Sequence, residues 1–400
     1  MGAIFIGMVY EYYYQGGDTM NYFLHAKIIN SAFDDSPVKW INLLLRIPND
    51  STIGYYDYIS RLYWYQDPAS YSVAALAAIF GMLVGTTYLP IAVIFAAISF
   101  TGMWALFRTF ARIYPSFIKP VGIAVLFIPS VVVWGSGIFK DTICLFGLGW
   151  LTYGVFQMLI QRNFKSGNLI LTLLSLWLVA RVKIYILLAF LPALLIWVLS
   201  VYTSKIKNTA GRFLVKLFVL SAALLSTFYI MTSLGENALG RYSLDNIEQT
   251  AQITRDWIQY SSKDEGSAYD LGNIKSIGDM ILTFPQAVNV SLFRPYLWES
   301  GKLIILASAI EAFLFLFLTI KLLVVVGPKR CWVTITKDPT LQFCLIFAIV
   351  FAFSVGISTG NFGTLSRYKI PCLPFYGVSI LLIYYQNRPQ NTQFLKFLNI

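Results

Sequence analysis

The chain has 400 residues, of which 57% are hydrophobic and only 12% charged, so most positions cannot be water-facing surface and a soluble or disordered class is excluded. The formal net charge is +11, but the basic residues fall in short loops between apolar runs, which reads as a membrane-topology signal and excludes a nucleic-acid partner. The runs approach the ~20 residues of a spanning helix and are too long and uniform for barrel strands, so the fold class is an all-α polytopic membrane protein.

In chain order, Met1 to Tyr10 is apolar but has no basic leader or small-residue cleavage site, which argues against a removable signal peptide. It is too short to cross and is expected to be either part of a span whose start precedes Met1 or a half-buried segment. A tyrosine cluster (Tyr12, Tyr13, Tyr14) and Gly16-Gly17-Asp18-Thr19 follow. The glycine pair lets the backbone turn sharply, so Asp18 can project back toward the bilayer. Asp57 to Tyr65 mixes Tyr and Trp with charge, the composition of a helix at headgroup level. Tyr71 to Gly85 is apolar but short for a crossing. Spans are predicted near 90–107, 118–134, 140–160, 168–181, 184–203, 213–233, 301–321, 340–357 and 368–385, a bundle of about nine to eleven crossings in one domain, 1–400.

If Tyr71 to Gly85 does not cross, the basic loops such as Arg108/Arg112, Arg162/Lys165, Lys205/Lys207 and Lys329/Arg330 share one side with a single acid, Asp338. That places the C-terminus in the cytoplasm and two long segments, 11–89 and 234–300, outside. Ile281 to Phe293 in the second, interrupted by Pro285, reads as interfacial.

Cations at short outer turns run against this charge rule and call for another reason. Lys140-Asp141 opens a span, Arg181 and Lys183 share a turn, Arg367, Tyr368 and Lys369 precede the last span, and Arg294, with Glu299, closes the second outer segment. The topology puts all of them at the same surface as Asp18. Arg and Lys there suit an anionic lipid headgroup, because guanidinium binds phosphate as a fork and ammonium as a compact charge. Asp18 and Asp141 add what phosphate binding does not need: a carboxylate able to take a proton from an acceptor hydroxyl, while the cations stabilise the departing phosphate. Those residues together describe sugar transfer from a lipid phosphate. Each also has a plainer reading, as a turn, a helix cap or a snorkelling cation. His25, the only histidine, reads as an interfacial polar residue, and Glu311, deep in a span, needs a partner inside the bundle. No His or Cys spacing fits a metal, though Asp18 and Asp141 leave a shared divalent ion open. Cys144, Cys331, Cys344 and Cys372 read as free, and no phosphate-binding glycine loop or dinucleotide fingerprint is present.

This order of features resembles the GT-C superfamily of integral-membrane glycosyltransferases, in particular bacterial relatives of the aminoarabinose and protein mannosyl transferases. The resemblance rests on Gly17-Asp18-Thr19-Met20-Asn21-Tyr22 in the first outer segment, on Pro129-Ser130 through Lys140-Asp141, on the long segment after 213–233, and on Arg367-Tyr368-Lys369-Ile370-Pro371. It implies a polyprenyl-phosphate-linked sugar donor, a lipid, glycan or protein acceptor, inversion at the anomeric carbon, and a site on the outer face of the bacterial inner membrane. On this reading of the residues Asp18 is the expected base, Asp141 is expected to orient the acceptor or a metal, and Lys140, Arg181, Lys183, Arg294 and Arg367 are expected to hold the phosphate, with Tyr22, Glu299, Tyr368 and Lys369 supporting. Two other readings stay open: an O-antigen or exopolysaccharide polymerase relying on arginines, and a lipid or glycan transporter without covalent chemistry.

Overall fold

The computed structural model describes residues 1–49, 52–203, 269–272 and 277–388, with isolated positions 211, 214, 215, 218, 221 and 253. The span expected over 213–233, most of the outer segment 234–300, and Lys205 and Lys207 lie outside the described residues. The described chain is helical with no strand. In order the helices are α1 (Gly2–Met8), α2 (Asp18–Asp35), α3 (Pro37–Leu44), α4 (Tyr56–Ile59), α5 (Pro68–Val84), α6 (Tyr88–Ile113), α7 (Ile118–Leu126), α8 (Pro129–Trp134) and α9 (Lys140–Val155). They continue with α10 (Ser166–Thr203), α11 (Ile277–Leu282), α12 (Phe284–Phe293), α13 (Leu303–Val326), α14 (Pro328–Lys337), α15 (Pro339–Ser358), α16 (Phe362–Tyr368) and α17 (Leu373–Asn387).

Among the described residues, five helical segments are long and apolar enough to cross a membrane: Tyr88–Ile113, Lys140–Ile160, Ser166–Thr203, Leu303–Val326 and Pro339–Ser358. The protein is therefore an all-α polytopic membrane protein. The apolar stretch around Tyr71 is the 17-residue α5, ~25 Å long and shorter than a ~30 Å hydrocarbon core. One predicted span is divided. The 118–134 run breaks between α7 and α8 at Phe127, whose dihedrals (φ −122°, ψ 18°) leave the helix just before Pro129. The last span, predicted at 368–385, starts later as α17, after the non-helical Lys369 to Cys372 in which Pro371 supplies no amide hydrogen, and α16 precedes it. The predicted 168–181 and 184–203 are two helices that run together as α10 and part at Lys183, whose φ −148° and ψ 74° are not helical, where the turn was expected.

The contacts resolve two compact units, one of Met1–Leu106, Val131–Val155 and Phe164–Ile184, the other of Phe107–Ser130, Phe156–Asn163 and Tyr185–Ile400. In the first unit α2 packs on α5 through Ala26, Ile29 and Ala32 against Ala74, Ala77 and Ala78, all fully buried. The amide of Asn30 donates to the Ala78 carbonyl (3.0 Å) and to Thr86 (3.2 Å), and accepts from Trp40 Nε1 (2.9 Å). Helix α9 is held on two sides by glycines. A Cβ on Gly149 would strike the backbone of Gly102 in α6, and one on Gly154 would strike Thr172 of α10. Such small-residue contacts bring backbones close where lipid supplies no hydrophobic drive between helices.

The second unit is packed around aromatic rings. Phe190 meets Phe347 edge-on at 4.9 Å, Trp197 stacks on Phe343 at 4.9 Å, and Phe375 meets Phe347 at 4.9 Å. Trp197 Nε1 donates to Thr340 Oγ1 at 3.1 Å, which satisfies the one polar atom of a fully buried ring. Asp338, the lone acid of the basic side, accepts from Thr340 N at 2.9 Å and so caps α15, and it also accepts from the Tyr114 hydroxyl at 2.7 and 2.8 Å. Helix α13 leaves Ile310, Phe313, Phe317, Ile320 and Val324 exposed along one face, a stripe for lipid rather than water.

Gly149→Leu is expected to lower thermal stability in detergent by at least ~3 kcal/mol, because the side chain meets backbone that cannot move aside. Gly167→Leu, where a Cβ meets nothing within 4 Å, is expected to be neutral in the same melting assay.

Candidate functional site

The first unit gathers charged residues from four segments. Gly16 (φ 138°) and Gly17 (φ 111°) take backbone conformations that side chains disfavour, and a Cβ on Gly17 would press the Tyr10 ring at 2.9 Å. This turn delivers Asp18, half-buried, into the first turn of α2, where a carboxylate is favoured by the helix dipole. Thr19 beside it is fully buried and shares a hydrogen bond with the Tyr88 hydroxyl at 2.9 Å. At the start of α9, Thr142 Oγ1 bonds back to the Gly137 carbonyl at 2.8 Å, fixing the turn that presents Lys140 and Asp141.

Asp141 is 0% exposed and accepts from Lys183 Nζ at 2.5 Å; Lys183, at the bend of α10, is 7% exposed. Lys140 Nζ lies 3.4 Å from Asp67 Oδ2 and is coupled electrostatically to both Lys183 and Asp18. The structure thus seats Lys183 on Asp141 and the adjacent Lys140 beside Asp67, with Asp18 within electrostatic reach of Lys140. Arg181 is exposed, with Nε donating to Ser72 at 3.2 Å.

Asp67 is the member that sequence reasoning missed. It caps α5, accepting from Ala69 N (3.0 Å) and Ser70 Oγ (2.5 Å). Burial pushes its carboxyl up, but the Ser70 hydroxyl, Lys140 and the Ala69 amide outweigh that and hold it below its ordinary 3.8. The signal was legible: Asp-Pro ahead of an apolar run marks a helix N-terminus.

In the second unit, Arg294 is engaged by Glu299. Its Nε donates to the two carboxylate oxygens at 3.1 and 3.0 Å and its Nη2 to Oε1, while Tyr269, Tyr296 and Phe362 surround the guanidinium with ring centroids at 5.8, 5.7 and 5.2 Å. Burial raises the Glu299 carboxyl, and Arg294 and the Tyr296 amide bring it below its ordinary value. Arg367 and Lys369 are buried and Tyr368 is half-buried; Lys369 Nζ donates to the Arg294 carbonyl at 3.2 Å. Glu311 finds its partner in Ser130, whose N and Oγ each donate at 2.7 Å, and it is coupled electrostatically to Lys369. Tyr22 is buried against Trp64 in the first unit, with ring centroids 4.5 Å apart.

Among the described residues no group of three or more His, Cys, Asp or Glu is placed to hold a metal ion, and the four cysteines are free and buried. The cluster's chemistry is that of ammonium groups seated on carboxylates, able to exchange a carboxylate for a phosphate oxygen. Comparison with protein-family models, with curated proteins and with solved structures gives no match.

Asp141→Asn leaves Lys183 charged and buried, and is expected to cost about 3–5 kcal/mol in thermal unfolding, whereas the double change Asp141→Leu with Lys183→Met is expected to recover most of it. His25 supplies a pH test. Burial lowers its pKa from 6.5 to about 4, so the unfolded chain takes up its proton first and stability falls as the pH drops from 6.5 to 4. The melting temperature of His25→Phe is expected to be flat over that window, with the carboxylate-linked loss appearing only at lower pH.

Proposed function

We propose that this protein is a membrane glycosyltransferase that moves a sugar from a polyprenyl-phosphate carrier to an acceptor hydroxyl on the outer face of the bacterial inner membrane, with its C-terminus in the cytoplasm. The observation that carries the reading is the gathering of Asp18, Lys140, Asp141 and Lys183 from three distant parts of the chain into one cluster. Buried charge is costly in an apolar bundle and is kept where it serves a function.

In this reading Asp18, half-exposed at the head of α2, takes the proton of the acceptor hydroxyl as its oxygen attacks the anomeric carbon. The bond from that carbon to the phosphate oxygen breaks, and the phosphate carries away the electron pair with inversion. Lys140 meets the developing phosphate charge, since its 3.4 Å contact with Asp67 is long for an ion pair and open to exchange. Lys183, held at 2.5 Å, acts through Asp141, which sets its position. Arg181, exposed, is the cation left to reach the headgroup.

A second reading, transport of a lipid-linked glycan without covalent chemistry, is favoured by the buried Lys183–Asp141 pair, because paired charge inside a helix bundle also marks transport pathways. Release of free polyprenyl phosphate separates the two. Membranes bearing the protein are expected to release it from a polyprenyl-phosphate-linked sugar, and Asp18→Asn is expected to reduce release by ~10²–10⁴-fold with expression unchanged. Turnover retained in Asp18→Asn removes Asp18 as the base, and no release from the wild-type protein favours transport.

A further inference from the structure

Helix α2 carries Asp18, Tyr22 and His25 at spacings of four and three residues, which sets them on one face. Consecutive rings from the segment after α4 cover that face. Tyr22 lies 4.5 Å from Trp64, His25 lies 4.4 Å from Tyr63 and 5.2 Å from Trp64, both edge-on, and Tyr63 and Trp64 are 5.1 Å apart. His25 is 1% exposed, yet neither Nδ1 nor Nε2 has a hydrogen-bond partner among the described residues. A neutral imidazole carries one donor and one acceptor, and leaving both unmet forfeits their hydration without return. Tyr63, directly over it, is 60% exposed, and Asp18 acts electrostatically on the Tyr63 hydroxyl.

We propose that Tyr63, Trp64 and His25 form a saccharide subsite beside Asp18. A pyranose ring lays its C–H face on the exposed Tyr63 ring, with the half-buried Trp64 edge-on beside it, and a shift of Tyr63 lets a ring hydroxyl satisfy the His25 imidazole. The chemistry fits a sugar rather than the phosphate. A tyrosine ring offers an apolar face with a polar tip, and a neutral imidazole both gives and accepts a hydrogen bond, as a hydroxyl does. The lysines that suit phosphate are carried by other elements, α9 and α10, where they are seated on Asp67 and Asp141. Seven residues of helix separate His25 from Asp18, ~10 Å along the axis, so a ring held over Tyr63 presents its far hydroxyl to the carboxylate. This assignment of the acceptor sugar rests on the transferase reading; the binding itself does not.

His25 is the only histidine, so the full chain in lipid nanodiscs, labelled with ¹⁵N at histidine, reports one imidazole. Methyl glycosides of glucose, galactose, mannose and N-acetylglucosamine are the probes, titrated to high millimolar concentration. At least one is expected to shift the His25 signals, and Tyr63→Ala to weaken that response about tenfold. Tyr63→Trp, which keeps the stacking face, and Tyr56→Ala, an exposed tyrosine of the same segment, are expected to retain it. Silence toward all four glycosides, or a response unchanged in Tyr63→Ala, overturns the subsite. A response in a protein that consumes no polyprenyl-phosphate-linked sugar keeps the subsite and removes the transferase reading instead.

Discussion

The salt bridge of Lys183 with Asp141 is the constraint on which the first unit is built. Both groups are buried, each offsets the cost of the other's charge, and the contact ties together the two helix segments that carry them. The bend of α10 falls on Lys183 itself, so the residue that breaks the helix is also the one that the ion pair holds. Lys140, next to Asp141 in sequence, is then carried to Asp67 and into the field of Asp18. The second unit obeys the same rule with different parts: Glu311, inside a helix long enough to span, is satisfied by both donors of Ser130, and Arg294 by Glu299.

Around these polar ties the helices approach through small residues. Gly102 against Gly149 lets backbones touch where any side chain would hold them apart, and Gly154 leaves the room that the Thr172 side chain fills. In a bilayer this contact does what apolar burial does in water, since a leucine facing lipid loses nothing by staying there. That is why α13 leaves a stripe of large apolar side chains uncovered while its other side buries Ala309, Ala312 and Phe315.

Much of the helix content was legible because long apolar runs have one solution in a membrane, and the five long helices fall on predicted spans. The divisions were harder to read. Pro129 and Pro371 were visible, but a proline inside an apolar run either kinks or ends a helix, and only packing decides which. Lys183 was expected in a turn, and its dihedrals do leave the helix, though hydrogen bonding continues on both sides. In the candidate site, Asp18, Lys140, Asp141 and Lys183 could be nominated because charge is rare in this chain. Their pairing could not be, since Lys183 with Asp141 and Lys140 with Asp67 are contacts between segments far apart in sequence. His25 was passed over for the same reason: its meaning lies in the rings of Tyr63 and Trp64 across the unit, and a single histidine has no local pattern.

The proposed transferase receives its lipid phosphate on Lys140. Binding of a polyprenyl monophosphate to the full chain in nanodiscs, followed by native mass spectrometry, tests it most directly. Lys140→Gln is predicted to weaken binding about tenfold or more while Lys302→Gln, on an exposed segment of the second unit, leaves it unchanged. Equal affinity in the wild-type and Lys140→Gln proteins would contradict the claim.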